Sequence, residues 1–324
     1  MMDWNALYRR LCEQIPSLEL RRDEPMSRHT SFQVGGPVPL LALPKNEEEV
    51  QRVLSVAAVE FAVKPFFMGK GTNLLVSDAG ADLLVVKAFD GLSRLELLPE
   101  GEWPGHRTIQ AGSGVSLARL ASFALECGLA GLEFAHGIPG SVGGGVYMNA
   151  GAYGGELGQV VSSVVSAALP DEDFLREHVN PQFSYRHSQF QERDSFILRA
   201  GFSLKPGDRA EIKAKMDDLA QRRKSKQPLE YPSAGSTFKR PAPVDAQPVY
   251  AAALIDGCGL KGLTVGGAQV SEKHAGFVIN RGGATCGDIV KLMAQVRERV
   301  LQETGVTLEP EVRYLGKEGE AWNF

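Results

Sequence analysis

The stretch Gly131–Glu156, GLEFAHGIPGSVGGGVYMNAGAYGGE, carries nine of the chain's 36 glycines. Glycine weakens helix and strand interiors because its backbone has the most freedom to lose. So dense a set points to a backbone that must approach something a side chain would block. A second loop of this kind, Met68–Asn73 (MGKGTN), lies between apolar runs. Successive bare N–H groups can form an anion-binding concavity, which would suit a nucleotide or a dinucleotide pyrophosphate. The competing reading is a pair of tight turns. Gly69 and Gly71 begin a G-x-G-x-x-G whose last position is Leu74. No G-x-x-x-x-G-K-[ST] occurs, and Ser141 and Ser236 lack the G-x-S-x-G frame of a hydrolase elbow. A dinucleotide held here would not be held in the Rossmann manner.

Outward from these loops the chain alternates strand and helix patterns. Asn46 followed by EEEVQRVLSVAAVE predicts a capped helix with an inward stripe of Val50, Val53, Leu54 and Ala57. Ser116 caps a second helix ending at Gly128, with Leu117, Leu120, Ala124 and Leu125 facing in. VVSSVVSAAL and SFILRAGFSL read as strands flanking NPQFSYRHSQF, and KPGD (205–208) reads as a linker. The chain then changes character near residue 206. A charged helix capped by Asp208 leads to the Pro- and Ser-rich loop QPLEYPSAGSTFKRPAPVDAQP. A short helix, AAALIDGCGLKG, and a strongly amphipathic one, DIVKLMAQVRERVLQETG, follow, with Ile289, Leu292, Val296 and Val300 inward and Gly305 as stop.

The 324-residue length favours two or three domains, and the net charge of −4 gives no footprint for nucleic acid. The N-terminal MMDWNALYRRLCEQI lacks the apolar core of a secretory signal, and no apolar run is long enough to span a bilayer. Cys12, Cys127, Cys258 and Cys286 form no metal-ligand pattern and read as reduced, cytosolic thiols, so no metal is expected.

Three polar spots stand out: Tyr185–Arg186 in FSYRHS, Ser236 in PSAGSTFKRP, and Glu309 and Glu311 in LEPEVRY. Read singly, each is matched by an ordinary surface explanation. Read in order, RHTSFQVGG, MGKGTNLLVSD, AGSGVSL, GLEFAHGIPGSVGGGVYMNAGAYGGE, FSYRHS, PSAGSTFKRP, AALIDGCGLKG and LEPEVRYLG resemble the UDP-N-acetylenolpyruvoylglucosamine reductases, the MurB family, over nearly the whole chain.

The resemblance implies an α+β protein. It has an FAD-binding fold of the vanillyl-alcohol-oxidase/PCMH type, made of two α/β subdomains, plus a C-terminal α+β substrate domain. The expected division is 1–80, with the tail 314–324 packed on it, then 81–205, then a substrate domain at 206–313. It also implies non-covalent FAD, held by Gly69, Lys70, Gly71, Thr72, Asn73, Gly137, Ile138, Pro139, Gly140, Ser141, Gly143 and Gly144, with NADPH as electron donor. The implied reaction reduces UDP-N-acetylglucosamine enolpyruvate to UDP-N-acetylmuramate in the cytoplasm, without nucleic acid or membrane partners. Arg186 matches the arginine that stabilises the developing enolate, Ser236 the proton donor, and Glu311 the glutamate completing the acid machinery. Tyr185, Arg223, Lys226, Lys239 and His274 are candidates for the substrate. Arg240 stands where some relatives carry asparagine, and the C-terminal part resembles the shorter subtype. A flavin oxidase tethered through His136 and a binding protein with a dead site are the alternatives; the C-terminal motifs disfavour the first, and the placement of Tyr185, Arg186, Ser236 and Glu311 disfavours the second.

Overall fold

The computed structural model describes residues 2–87, 91–99, 105–168, 174–192, 195–243, 248–317 and 319–320. Parts of the expected loop (244–247) and of the C-terminal tail (318 and 321–324) lie outside the described residues. The longer helices are α1 (Trp4–Gln14), α2 (Glu47–Ser55), α3 (Leu117–Glu126), α4 (Val142–Tyr147), α5 (Arg209–Lys226), α6 (Ala251–Gly257) and α7 (Cys286–Thr304). Their starts follow from local chemistry. Asn46, Ser116 and Asp208 accept backbone N–H groups of the first turns of α2, α3 and α5. Thr285 and Asp288 form a reciprocal capping box on α7, which Gly305 ends at φ 71°. The α2 pattern does not run on as regular helix to Glu60: Val56–Glu60 is a π turn. Lys205 and Pro206, read as linker, instead extend the strand Ser195–Pro206 and pair with Ala130 and Leu129.

The chain divides into two compact units that interleave along the sequence. The first comprises Met1–Arg22, Leu40–Lys70 and Leu84–Arg223. In it Leu40–Ala42 and Phe66–Met68 run parallel to the strand Leu84–Lys87. A larger antiparallel sheet has the order Leu175–Val179, Val161–Ala168, Ser195–Pro206, Arg107–Gly112, Leu95–Leu97. Both faces of that sheet are covered. Val164 and Ile197 face a core built with α3, α4 and α5, while Val165, Phe196 and Leu198 face a core built with α1 and α2. Side chains alternate across a strand, so burial on both faces demands a continuous apolar run. SFIL, Ser195–Leu198, is such a run.

The second unit comprises Asp23–Pro39, Gly71–Leu83 and Lys224–Phe324. Thr264–Val265, Ala268–Val270 and Val278–Asn280 form an antiparallel sheet against α7, on which α6 packs. The inward stripe of α7, with Ile289, Leu292, Val296 and Val300, is fully buried as the periodicity predicts. Leu74–Val76 pairs in parallel with Arg313–Leu315. The Asp78 carboxylate accepts Cys286 N–H at 2.7 Å and Gly287 N–H at 2.9 Å, satisfying two donors that the start of α7 leaves unused.

Candidate active site

The glycine-rich loops converge within the first unit. Ser141 caps α4, its Oγ accepting Gly144 N–H at 3.4 Å. A Cβ at Gly69 would lie well inside van der Waals contact of that same Oγ. AGSGVSL forms the third wall. Gly143 N–H donates to Ser113 O at 2.9 Å, Val142 N–H to Val115 O at 2.8 Å, and Leu117 N–H to Gly140 O at 3.0 Å. A Cβ at Gly143 would stand 2.7 Å from Ser113 Cβ. The glycines therefore answer two needs: Gly69 and Gly143 let loops touch one another, whereas Gly144 meets only Ser141 Oγ, at 3.5 Å. The loop after Gly69 continues into the second unit with Gly71 at φ 68°, a conformation L side chains rarely adopt. Among the described residues, the N–H groups of Gly71, Thr72 and Asn73 donate to no acceptor.

Ser113, 6% exposed, has an Oγ without a hydrogen-bond partner among the described residues. A buried polar atom left alone is costly and calls for a partner from outside the chain. Its place beside Gly143 makes Ser113 a candidate site residue that the sequence reading does not single out, although AGSGVSL contains it. Within the first unit, convergent bare-backbone loops and an orphan hydroxyl suit a dinucleotide pyrophosphate. The residues present fit FAD. Ile138 and Pro139 lie on the same loop, Pro139 exposed, and Lys70 is exposed beside Gly69.

Tyr185 and Arg186 form the turn between the two-residue strands Phe183–Ser184 and His187–Ser188. Arg186 sits at φ 55°, a left-handed conformation that costs a non-glycine residue roughly 1–2 kcal/mol. Its guanidinium lies 5.1 Å from the Tyr185 ring centroid, a cation–π contact. The turn is strapped to the end of α4. Asn149, fully buried, donates from Nδ2 to Ser184 O at 2.8 Å and accepts Gly158 N–H at 2.8 Å. Ser188 Oγ donates to Tyr147 O at 2.7 Å. Gln191 Nε2 donates to both Tyr147 O, at 2.9 Å, and Arg186 O, at 3.0 Å.

Arg223 lies near the end of α5, beside Gly137, and interacts electrostatically with Tyr153. Among the described residues its guanidinium makes no hydrogen bond or ion pair, and burial lowers its pKa from the ordinary arginine value. A half-buried guanidinium without a carboxylate is suited to an anionic ligand. Tyr153 is exposed on the turn between Gly151–Ala152 and Gly155–Glu156.

In the second unit the Ser236 and Glu311 segments lie side by side. Phe238 and Pro310 form an antiparallel bridge, Glu311 N–H donates to Thr237 O at 2.8 Å, and Lys239 N–H to Glu309 O at 2.8 Å. Thr237, 1% exposed, anchors the segment: its N–H donates to Gly276 O and its Oγ1 accepts Val278 N–H at 2.9 Å. Gly235 at φ 79° turns the chain just before Ser236, which is exposed, while Glu311 is half-buried. Lys239 Nζ lies 3.5 Å from Glu309 Oε2, a weak surface pair, and Lys226 is exposed. His274 is different from a free cation. Burial lowers its pKa, its Nδ1 accepts Gly276 N–H at 3.2 Å, and its ring meets Phe277 edge-on at 4.9 Å. Burial thus favours the neutral imidazole, and with Nδ1 accepting, Nε2 is the nitrogen placed to donate.

The fold and the convergent loops define an FAD-binding oxidoreductase carrying an additional C-terminal domain. Residues 38–173 match the FAD binding domain model. Residues 227–315 match the model of the UDP-N-acetylenolpyruvoylglucosamine reductase C-terminal domain. The chain is 44% identical over 309 residues to the UDP-N-acetylenolpyruvoylglucosamine reductase of Caldanaerobacter subterraneus subsp. tengcongensis, covering 95% of this chain and 97% of that one. It is 46% identical over 299 residues to that of Clostridium botulinum, covering 91% and 92%. The crystal structure of UDP-N-acetylenolpyruvylglucosamine reductase (MurB) from Thermus caldophilus superposes with a TM-score of 0.73 at 32% identity, covering 92% of this chain and 98% of that one. The chain belongs to the UDP-N-acetylenolpyruvoylglucosamine reductase family. Among the described residues, no helix is long and apolar enough to cross a membrane.

Proposed function

We propose that this chain catalyses the NADPH-dependent, FAD-mediated reduction of UDP-N-acetylglucosamine enolpyruvate to UDP-N-acetylmuramate, a step of peptidoglycan precursor synthesis in the cytoplasm. The observation that carries the reading is the pairing of the Ser236 and Glu311 segments in a family member with FAD-suited loops. Gly69–Asn73, Gly137–Gly144 and Ser113 would hold the cofactor. FAD, when bound, would supply hydride transfer between NADPH and the terminal carbon of the enolpyruvyl double bond.

The chain's own residues then meet the charge that this addition creates. Negative charge develops on the carbon next to the carboxylate and on the carboxylate itself. Arg186 has the fixed positive charge and planar donor fork to hold that carboxylate and lower the energy of the enolate. The Ser236 hydroxyl delivers the proton to the carbon. Serine is a weak acid, so its use depends on a strongly basic enolate and a fixed approach. Gly235 and the Thr237 anchors fix that approach. Glu311 supports the proton transfer. Tyr185 and Arg223 bind the substrate, with Arg223 meeting its diphosphate, and Lys226, Lys239 and His274 complete the contacts. FAD-binding subdomains at 1–80 and 81–205 and a substrate domain at 206–313, of the shorter subtype, are part of the proposal.

The test is an anaerobic visible spectrum of the FAD-loaded protein. NADPH bleaches the flavin band, and the enolpyruvyl compound restores it. Ser236→Ala bleaches normally and recovers about 10²–10⁴ times more slowly. A band that bleaches but is not restored in the unmodified protein rejects the substrate; normal recovery in Ser236→Ala rejects the proton-donor role. Flavin that survives acid precipitation on the chain would point instead to a covalent His136 link.

A further inference from the structure

We propose that Gln191 is a positioning residue for the reaction: it fixes Arg186 by gripping that residue's carbonyl and the end of α4 with one amide. The inference rests on the assignment of Arg186 given above.

The Arg186 turn cannot hold itself. It joins strands of two residues each, and isolated hairpins even of full length are marginal in water. Arg186 is in the left-handed region, a conformation that persists only where surrounding structure enforces it. Three side chains supply that enforcement, and they do different things. Asn149 is buried and also holds Gly158, so it belongs to the general fold of the loop. Ser188 ties the far strand to Tyr147 O. Gln191 bonds to the Arg186 carbonyl itself.

The chemistry of the Gln191 amide suits it to this place. Its Nε2 carries two N–H donors and faces two carbonyl acceptors, Tyr147 O at 2.9 Å and Arg186 O at 3.0 Å. Both acceptors fix the amide orientation, and no other uncharged side chain of that length offers two donors from one atom. Tyr147 is the last residue of α4, whose first residues follow the Gly140–Ser141 loop. One short helix therefore carries the cofactor loop at one end and the Arg186 strap at the other. A shift of the Arg186 carbonyl moves the Cα from which the guanidinium is aimed, and a misplacement near 1 Å can cost about 100-fold in rate.

The test uses the full-length FAD-loaded protein for kinetics and the cofactor-free protein for amide hydrogen exchange. Variants are Gln191→Leu, which removes both donors, Gln191→Glu, which turns donor into acceptor at the same size, Arg186→Ala, and the double variant Arg186→Ala/Gln191→Leu. Gln191→Leu and Gln191→Glu should slow flavin reoxidation by the enolpyruvyl compound about 10- to 100-fold, while reduction by NADPH stays within about 2-fold of the parent. Exchange should quicken at Tyr185–His187 and stay unchanged in α7. In the Arg186→Ala background the Gln191→Leu change should add nothing, because two residues acting through one group are not additive. Normal reoxidation in Gln191→Leu, alongside a defective Arg186→Ala, overturns the positioning role and leaves the Arg186 assignment standing. Normal reoxidation in Arg186→Ala overturns that assignment, and this inference with it. Both half-reactions slowed, with faster exchange across the first unit, would make Gln191 a general fold residue and overturn the proposal.

Discussion

Gly144→Ala separates the two uses of glycine in the cofactor loops, because it should move stability and cofactor affinity in opposite directions. Gly144 occupies the third position of α4, and a Cβ built there meets only Ser141 Oγ, at 3.5 Å, an ordinary contact. No described residue resists the methyl group. Alanine is the better helix former by up to about 1 kcal/mol, and near a helix end roughly half of that is a reasonable expectation. The cofactor-free variant should therefore melt about 1–2 °C higher, at roughly 2–4 °C per kcal/mol for a domain of this size. If the loop brings bare backbone against the FAD pyrophosphate, the same methyl group overfills the cradle. Overpacking costs about 1–3 kcal/mol, equivalent to a 5- to 150-fold weaker dissociation constant. Thermal denaturation of the cofactor-free protein and a flavin fluorescence titration read the two quantities independently. Gly143→Ala is the contrast, since its Cβ would stand 2.7 Å from Ser113 Cβ and should lower stability as well as affinity. A Gly144→Ala protein that binds FAD as tightly as the parent would refute the close-approach argument.

Other perturbations test the frame around the site. Asp78→Ala removes two charge-assisted bonds to the start of α7 and should destabilise by about 2–4 kcal/mol in urea unfolding, whereas Asp78→Asn, which keeps one acceptor, should cost less than half as much. Leu292→Ala opens a void in the stripe of α7 and should cost about 2–5 kcal/mol by the same measurement. Burial pushes the Cys286 thiol up from 9.0 to about 12. The unfolded thiol ionises first, so its contribution is intact below pH 9 and fades above it. The stability difference between the parent and Cys286→Ala should shrink by about 1.4 kcal/mol per pH unit from pH 9 toward 11. Burial lowers the His274 pKa, so its neutral form contributes above pH 6.5 and the contribution is lost as pH falls through the folded value. Unfolding of His274→Gln should accordingly show a shallower decline between pH 7 and 5 than the parent.

Helix starts were legible because their chemistry is local. Asn46, Ser116 and Asp208 each act on N–H groups two or three residues away, and the stripe of α7 needs only its own periodicity. What was illegible depends on partners remote in sequence. Nothing in MGKGTN indicates that Gly69 leaves room for Ser141, and nothing in SYRH indicates that Arg186 is left-handed or that Gln191 grips it. The apolar run SFIL was legible as a strand, but a run buried on both faces does not say which two cores it divides. His274 illustrates the remaining gap: the sequence does not show that it is buried, and burial, which only the fold supplies, lowers its pKa and disfavours the charged form. Ser113 was visible in its motif, yet a serine is marked as a site residue only when its hydroxyl is found buried and alone.

The instability of α4 as a helix is itself informative. Gly143, Gly144 and Gly145 make up half of Val142–Tyr147, and each costs about 0.8–1.0 kcal/mol relative to alanine in a helix interior. A segment of six residues is also far too short to be helical alone. It must be held from outside. Val142 and Val146 are fully buried, Ser141 caps the first turn, and Ser113 O and Val115 O accept the first two N–H groups. At the other end, Ser188 and Gln191 both bond to Tyr147 O, using an acceptor that the last turn leaves open. The bonds that restrain the Arg186 turn are thus the same bonds that finish the helix. Weak intrinsic helicity makes α4 dependent on both ends, so a change that loosens Tyr147 O should be felt at the cofactor loop as well as at Arg186. Gln191→Leu is then expected to weaken FAD binding slightly, by less than the Gly144→Ala change, because Ser188 still holds Tyr147 O. An FAD affinity lowered more by Gln191→Leu than by Gly144→Ala would mean that helix order, rather than close approach of bare backbone, governs cofactor binding.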